Sequence, residues 1–313
     1  MSISGPAAPA VGSALRVLID YAGLFPPAEL SMIRAVDRYE EARRGPFAWM
    51  LGRFIVPATR VTELIDSIGD REPFDLSVIL DAGSEPSAWL GTVAKLLDSL
   101  ASIRDRESLV RVAALEVRVP QLQSERDTFD ATIGQFGMLA NNAGVRDLPI
   151  FVELPRGPRW SSELPGALLA LSRTKTGAKV RCGGTAAEDI PDTSELAGFI
   201  REVTDQSLAW KATAGLHHPL RHQDAATGLQ MHGFLNVLGA AVFAQMGADT
   251  QMLRAVLEEE DPAVLTLGPE GLRYGDRAAS VEEIAGARRH HFVAYGSCSF
   301  EEPVRDLLDL HIL

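Results

Sequence analysis

One pattern runs the length of the chain and limits what it can become. A short apolar run is followed by an amphipathic stretch, and the pair recurs eight times. The apolar runs are "LRVLID" (15–20), "GRFIVPA" (52–58), "FDLSVILDA" (74–82), "VRVAALEVRVP" (110–120), "LPIFVELP" (148–155), "AKVRCGG" (178–184), "SLAWKATAG" (207–215) and "HFVAYGSCSF" (291–300). Helical patterns follow them, including Leu30–Arg43, Pro86–Arg104 and "TSELAGFIREVTD" (193–205). Alternation of this kind predicts parallel strands covered by helices. Eight units in 313 residues predict an α/β chain folded as a single (β/α)8 TIM barrel over residues 1–313. An open doubly wound sheet is the alternative, but its usual phosphate fingerprint, GxGxxG opening the first helix, is missing.

The seventh unit is long. Residues 249–290 read as an insertion before the last strand, with a hairpin at "VLTLGPEGLRYGD" (264–276) and a helix opened by the capping-box pattern of "SVEEIAGARRHH" (280–291). A lid, an oligomer contact and a solvated excursion are the readings for it. The first dozen residues, "MSISGPAAPAVG", are small and are expected to fray.

A net charge of −12 argues against nonspecific binding to nucleic acid or to an anionic membrane. It leaves room for a local basic pocket and an anionic small molecule. The two cysteines, Cys182 and Cys298, form no CxxC pair, so no structural zinc site is expected and a reducing cytoplasm is the natural setting. Neither a signal peptide nor a membrane span is expected. A homo-oligomer stays open.

Strands covered on both faces should be apolar throughout, and several of these are not. Asp20 closes the first run. Glu116 and Arg118 lie near the end of the fourth, Glu153 near the end of the fifth, Lys179 and Arg181 on the sixth, and Lys211 on the seventh. Residues two apart on a strand share a face. Charges under packed helices would be very costly, so these are expected to point into the barrel and meet near its carboxyl end, where this fold keeps its active sites. Paired ions neutralising one another are the structural alternative. Charges on at least four successive strand ends favour a functional site.

Lys211, beside Trp210, sits in an apolar run where burial and neighbouring Arg181 or Lys179 are expected to lower its pKa. A neutral amine is what Schiff-base chemistry requires, with Glu153 or Glu116 moving protons. Lys179 competes for the same role. Glycines in "CGG" (182–184) and "AGL" (214–216), and the loop carrying Ser297 and Ser299, suggest an anion subsite. Glu301 and Glu302 already occupy the start of the last helix. Cys298 is expected to be a buried, inert thiol.

His217, His218, His222 and His232 fall close together. Acid/base work or lid contacts are expected of His217 and His218. A metal site made from His217 or His218 together with His232 and Glu153, holding zinc or manganese, is the rival reading, a divalent-metal hydrolase or isomerase. A third reading is a barrel that binds a small molecule without turnover.

Five segments, "DYAGLFPPA", "KVRCGG", "WKATAGLHHPLR", "MHGFLNVL" and "YGSCSFEEP", resemble a set found together in uncharacterised bacterial barrel-like proteins. That likeness covers most of the chain and implies a barrel and no activity. "KVRCGG" followed by "KATAGL" also resembles class I aldolases of the deoxyribose-phosphate type, where Lys-Thr-Ser-Thr-Gly precedes Lys-Ala-Ser-Gly-Gly. The resemblance implies Lys179 as Schiff-base lysine and Lys211 as the partner that depresses its pKa. Arg181 departs from the family's small hydroxyl residue. The spatial reading favoured Lys211, so both lysines stay open.

The expectation is therefore a lyase or aldolase-type enzyme for a small anionic carbonyl compound. Its catalytic residues are Lys211, Lys179, Glu153 and His217. Its substrate-binding residues are Asp20, Glu116, Arg118, Arg181, His218, Arg221, Ser297 and Ser299. No cofactor is predicted, and a divalent metal stays open.

Overall fold

A computed structural model describes residues 8–101, 109–121, 129–145, 147–157, 159–184 and 186–313. Eight parallel strands close into a barrel: β1 (Ile19–Tyr21), β2 (Leu51–Pro57), β3 (Phe74–Leu80), β4 (Val110–Arg118), β5 (Ile150–Glu153), β6 (Gly177–Arg181), β7 (Trp210–Thr213) and, after five short strands outside the barrel, β13 (Phe292–Ser297). β13 lies between β7 and β1 and shuts the ring. The fold is a (β/α)8 barrel, as the alternation required.

The helices follow the strands in order. They are α2 (Met32–Arg44), α3 (Val61–Ile68), α4 (Pro86–Ala101), α5 (Phe129–Asn142), α6 (Trp160–Thr174), α7 (Thr193–Asp205), α8 (Phe234–Gln245) and α11 (Glu301–Asp309). The expected ends of the fourth helix at 102–104 and the start of the fifth stretch at 126–128 lie outside the described residues. Among the described residues no helix is long and apolar enough to cross a membrane.

Strand alternation sorts the side chains. Outward residues build the layer between strands and helices: Tyr21 and Phe54 meet Tyr39 of α2 with ring centroids 5.9 and 5.3 Å apart, and Tyr295 stacks on Phe234 of α8 at 5.4 Å. Inward residues therefore include Asp20, Ser77, Glu116, Glu153, Lys179 and Lys211, each one position away from an outward apolar neighbour.

One local expectation needs correction and one needs extension. The amino terminus is not frayed from Ala8 onward. Helix α1 (Pro9–Leu15) buries Ala10, Val11, Ala14 and Leu15 against α10 (Val281–His290) and β11 (Gly271–Tyr274). Small residues let it seat closely, and β1 accordingly begins at Ile19 rather than at Leu15. The insertion holds the expected hairpin, β10 (Leu265–Leu267) with β11, and the expected helix α10, whose Ser280 and Glu283 form the capping box, and adds to them α9 (Thr250–Glu258) and a third strand, β12 (Arg277–Ser280).

The purpose of that insertion is visible in α8. Every residue from Phe234 to Ala244 is buried, so this helix is apolar all round and needs a cover on its outer side. α9 and α10 supply it, with Val256 and Leu265 packed over Gly239. Burying each such Leu or Val contributes about 1.5–3 kcal/mol. The short ribbon of β8 (His222–Gln223) and β9 (Gln230–Met231) shapes the loop between β7 and α8.

Candidate functional site

Opposite charges alternate across the interior of the barrel. Asp20 Oδ2 lies 2.5 Å from Lys211 Nζ, which lies 2.6 Å from Glu116 Oε1. The other oxygen of Glu116 is 2.8 Å from Lys179 Nζ, and that ammonium is 3.0 Å from Glu153 Oε2. Glu153 Oε1 then accepts from Arg181 Nε at 3.1 Å, with Arg118 Nε 3.8 Å away. At the far end the Arg53 backbone N–H donates to Asp20 Oδ1 at 2.7 Å, and the Arg53 guanidinium stands 3.6 Å from Oδ2.

Topology explains the convergence. Register sets Glu153, Lys179 and Lys211 side by side on β5, β6 and β7, and Arg118 beside Glu153 on β4. All point inward, so four neighbouring strands present charge at one level. β1, directly across the β13 junction, adds Asp20. Gly52 makes room for it, since a Cβ there would collide with the Asp20 carboxylate.

The interior divides into a sealed floor and an open rim. Lys211 is 1% exposed and Lys179 5%, whereas Arg181 is 36% and Arg118 62% exposed. Three carboxylates (Asp20, Glu116, Glu153) face five cations (Arg53, Arg118, Lys179, Arg181, Lys211), so the rim carries surplus positive charge in a protein of net charge −12.

Ser77 on β3 completes the floor. Its hydroxyl donates to Glu116 Oε1 at 2.6 Å and lies 3.4 Å from Lys211 Nζ. The ring of Phe151 lies 5.7 Å from the same ammonium. Neither Ser77 nor Arg53 was among the expected site residues. The signal for Ser77 was available: a lone hydroxyl at an inward position of "FDLSVIL".

Lys179 is not in the state that burial alone would give. Burial acts to lower Lys179, but Glu116 and Glu153 outweigh it and hold its pKa above the usual lysine value. Burial likewise acts to raise both glutamates. The two lysines hold Glu116 far below the usual carboxylate range, and Lys179 with Arg181 holds Glu153 below it. Fixed opposite charges at hydrogen-bond distance dominate desolvation here.

The histidines do not join this network. His217 Nδ1 lies 2.9 Å from Glu302 Oε2, and His218 Nδ1 lies 2.5 Å from Asp306 Oδ2, so both loop histidines pair with α11. His222 turns its ring edge to His218. His232 is fully buried and bonds the Pro191 carbonyl at 2.8 Å, and burial pulls its pKa down to about 4. The expected metal constellation of Glu153 with these histidines is thus not assembled. Among the described residues no three His, Cys, Asp or Glu side chains converge as a metal site.

The remaining substrate-binding candidates also take other partners. Arg221 gives its backbone N–H to Asn236 and faces Glu260 at 3.8 Å, beside the insertion rather than the rim. Ser297 Oγ donates to the Ser299 carbonyl at 2.6 Å, and Ser299 Oγ receives the Glu302 N–H at 3.2 Å, so both oxygens have partners within the loop that starts α11. The glycines after β6 and β7 let the two loops approach closely: a Cβ on Gly183 would come 2.6 Å from the Cα of Gly215.

A second feature opens on the same carboxyl-terminal face. A cleft of about 290 Å³ is lined by Pro27 and Ala28 after β1, by Gly215, His217, His218, His222, Asp224 and Met231 between β7 and α8, and by Cys298, Ser299 and Glu302 after β13.

A scan against protein-family models finds none that matches this sequence, and a search of curated proteins finds no match. Among solved structures the chain is similar to a deoxyribose phosphate aldolase from Aeropyrum pernix, described as a tetramer, at 15% identity and a TM-score of 0.45, over 67% of this chain and 80% of that one.

Proposed function

We propose that the chain is a lyase of aldolase type for a small anionic carbonyl compound, with Lys179 as the amine. The observation that carries this reading is the unbroken run of alternating charge from Asp20 to Arg181 at the carboxyl end of the barrel. A purely structural ion pair needs two partners. With Arg118 and Arg53 at its ends, this run gathers eight ionisable side chains from six strands and ends on partly exposed guanidinium groups.

The run also suggests how a charged lysine becomes a nucleophile. Glu153 is ionised at rest because Lys179 and Arg181 hold it so. An incoming anion that takes the Arg181 and Arg118 guanidinium groups removes those cations from Glu153. Its proton affinity then rises, and it stands 3.0 Å from Lys179 Nζ to accept the ammonium proton. The freed amine adds to the carbonyl carbon, and Glu116, shared by both lysines, returns and removes protons at the later steps. Lys211, fixed between Asp20 and Glu116, anchors the Glu116 carboxylate in place.

Borohydride reduction in the presence of small keto and aldehydo acids tests this. A stable adduct on Lys179, absent from Lys179→Met, is the expected result. An adduct on Lys211 transfers the role to that residue. No adduct with any carbonyl compound, together with saturable binding of an anion at the rim, supports the binding barrel without turnover instead.

A further inference from the structure

Cys298 is buried, as its sequence suggests, yet its surroundings are not those of a core sulfur. It lines the cleft beside the barrel mouth, and it is not part of the lysine network. Its Sγ lies 3.6 Å from His217 Nε2 and 4.0 Å from Nδ1. Glu302 Oε2 lies 2.9 Å from Nδ1 of the same ring. That contact holds a proton on Nδ1 and leaves Nε2 free, while the sulfur, nearly equidistant from the two nitrogens, stands beside the ring and off the Nε2 lone-pair axis. Thiol, imidazole and carboxylate are thus contiguous, and a turn of the Cys298 side chain toward Nε2 would set them in the order nucleophile, base and orienting group. The sulfur-to-ring separation is looser than a formed bond, as is common before a ligand binds.

The arrangement follows from the fold. β7 and β13 are neighbours in the barrel, so the loop after one carries His217 to the loop after the other, which carries Cys298. Burial raises the Cys298 thiol to about 11, opposed by a hydrogen bond from the Ala28 backbone. Resting thiolate is therefore scarce, and reactivity depends on a base acting in step. Cys182 supplies the contrast: it is fully buried, pushed up to about 12, and no histidine bonds it among the described residues.

We propose that Cys298, His217 and Glu302 form a nucleophilic thiol centre that adds reversibly to the carbonyl carbon of a small aldehyde. The S–C bond forms as the C=O π pair moves to oxygen. The thiol proton passes to His217 Nε2 and from there to that oxygen, giving a thiohemiacetal. Nothing is oxidised or reduced, and no group leaves. The cleft is small, and His222 and Asp224 offer its walls polar partners for a hydroxylated chain. In aldehyde addition His217 can deliver the proton to the oxygen as it forms, which matters where the Ser299 and Glu302 N–H groups are already given to Ser297 Oγ and Ser299 Oγ. The proposal does not rest on the lysine chemistry.

The test is alkylation by iodoacetamide at about pH 8, followed by peptide mass mapping, with Cys182 as the internal control. Cys298 is expected to react at least about tenfold faster than Cys182. His217→Asn and His217→Gln should each slow Cys298 by about tenfold or more, and Glu302→Gln by about threefold to tenfold, with melting temperatures near the wild type. Glycolaldehyde should slow alkylation of Cys298 in the wild type and in Lys179→Met alike. Equal rates at the two cysteines, a Cys298 rate unmoved by both His217 substitutions, or no protection by glycolaldehyde would overturn the proposal. Protection lost in Lys179→Met would assign the aldehyde to the lysine and also overturn it. Protection that persists where borohydride traps no adduct would uphold the thiol centre while removing the lysine reading.

Discussion

Nζ of Lys211 and Oε1 of Glu116 stand 2.6 Å apart in the closed centre of the barrel, each side chain 1% exposed. Removing one member of such a pair leaves the other buried and uncompensated. Glu116→Gln keeps the shape but withdraws charge from two ammonium groups at once. It should lower the unfolding free energy by about 3–5 kcal/mol, read as a shift in urea midpoint at constant slope. A loss below about 1 kcal/mol would mean that water reaches the floor and replaces the carboxylate.

The same contacts set an acid limit. Glu116 and Glu153 have folded pKa values held below their unfolded ones. Their contribution is fully present above the unfolded value, about 4.3, and is lost as pH falls toward the folded values. Unfolding midpoints should therefore be flat from neutral pH to about pH 5 and fall steeply below about pH 4. Glu153→Gln should make the acid limb shallower. Lys179 runs the other way. Its raised value means that its contribution holds below the ordinary lysine pKa, near 10.4, and fades only as pH climbs through the folded value. An acid limb in Glu153→Gln as steep as in the wild type would count against this account.

How much of this could be read from the sequence differs by kind of signal. The alternation fixed eight strands because barrel strands are short, apolar and buried on both sides, and charged residues inside them could be placed inward by period alone. Partner choice was not legible. Whether Lys179 meets Glu153 or Glu116 depends on stagger between strands, which no local pattern encodes. The pKa direction of Lys179 follows from those partners, so the depression by Lys211 that the aldolase resemblance implied is not what the assembled site gives. His232 and Arg221 looked like site residues because of neighbours in sequence, yet the turn through β8 and β9 carries them to Pro191 and to the insertion. The cover role of residues 249–290 was hidden because it is a property of α8: "FLNVLGAAVFA" shows no polar face, and that was the available clue.

Arg181 is the rim group whose loss should separate binding from chemistry. It gives Glu153 a hydrogen bond at 3.1 Å and remains partly exposed toward solvent. On the proposed function, Arg181→Ala should raise KM for an anionic carbonyl substrate by about tenfold to a hundredfold. Arg181→Lys should restore little, because an ammonium cannot bridge carboxylate and ligand as a fork does. A neutral analogue of the same substrate should be nearly indifferent to either change. Equal losses for charged and neutral substrates would show that Arg181 acts through the fold.

Asn236 joins the barrel to its cover, and its replacement tests that role. It is fully buried in α8. Its Oδ1 accepts the Arg221 N–H at 2.8 Å, and its Nδ2 donates to the carbonyls of Val256 and Glu259 at 2.7 and 2.8 Å. The two carbonyls lie at the carboxyl end of α9, where no further turn of helix supplies donors. Asn236→Ala removes three hydrogen bonds and strands those groups away from water. A destabilisation of about 2–4 kcal/mol is expected, above the usual cost of a truncated polar side chain. Because the loss falls on the insertion, amide hydrogen exchange should accelerate first in α9 and in the β7–α8 loop, and the barrel strands should keep their protection. Uniform acceleration across all eight strands would show instead that insertion and barrel unfold as one unit.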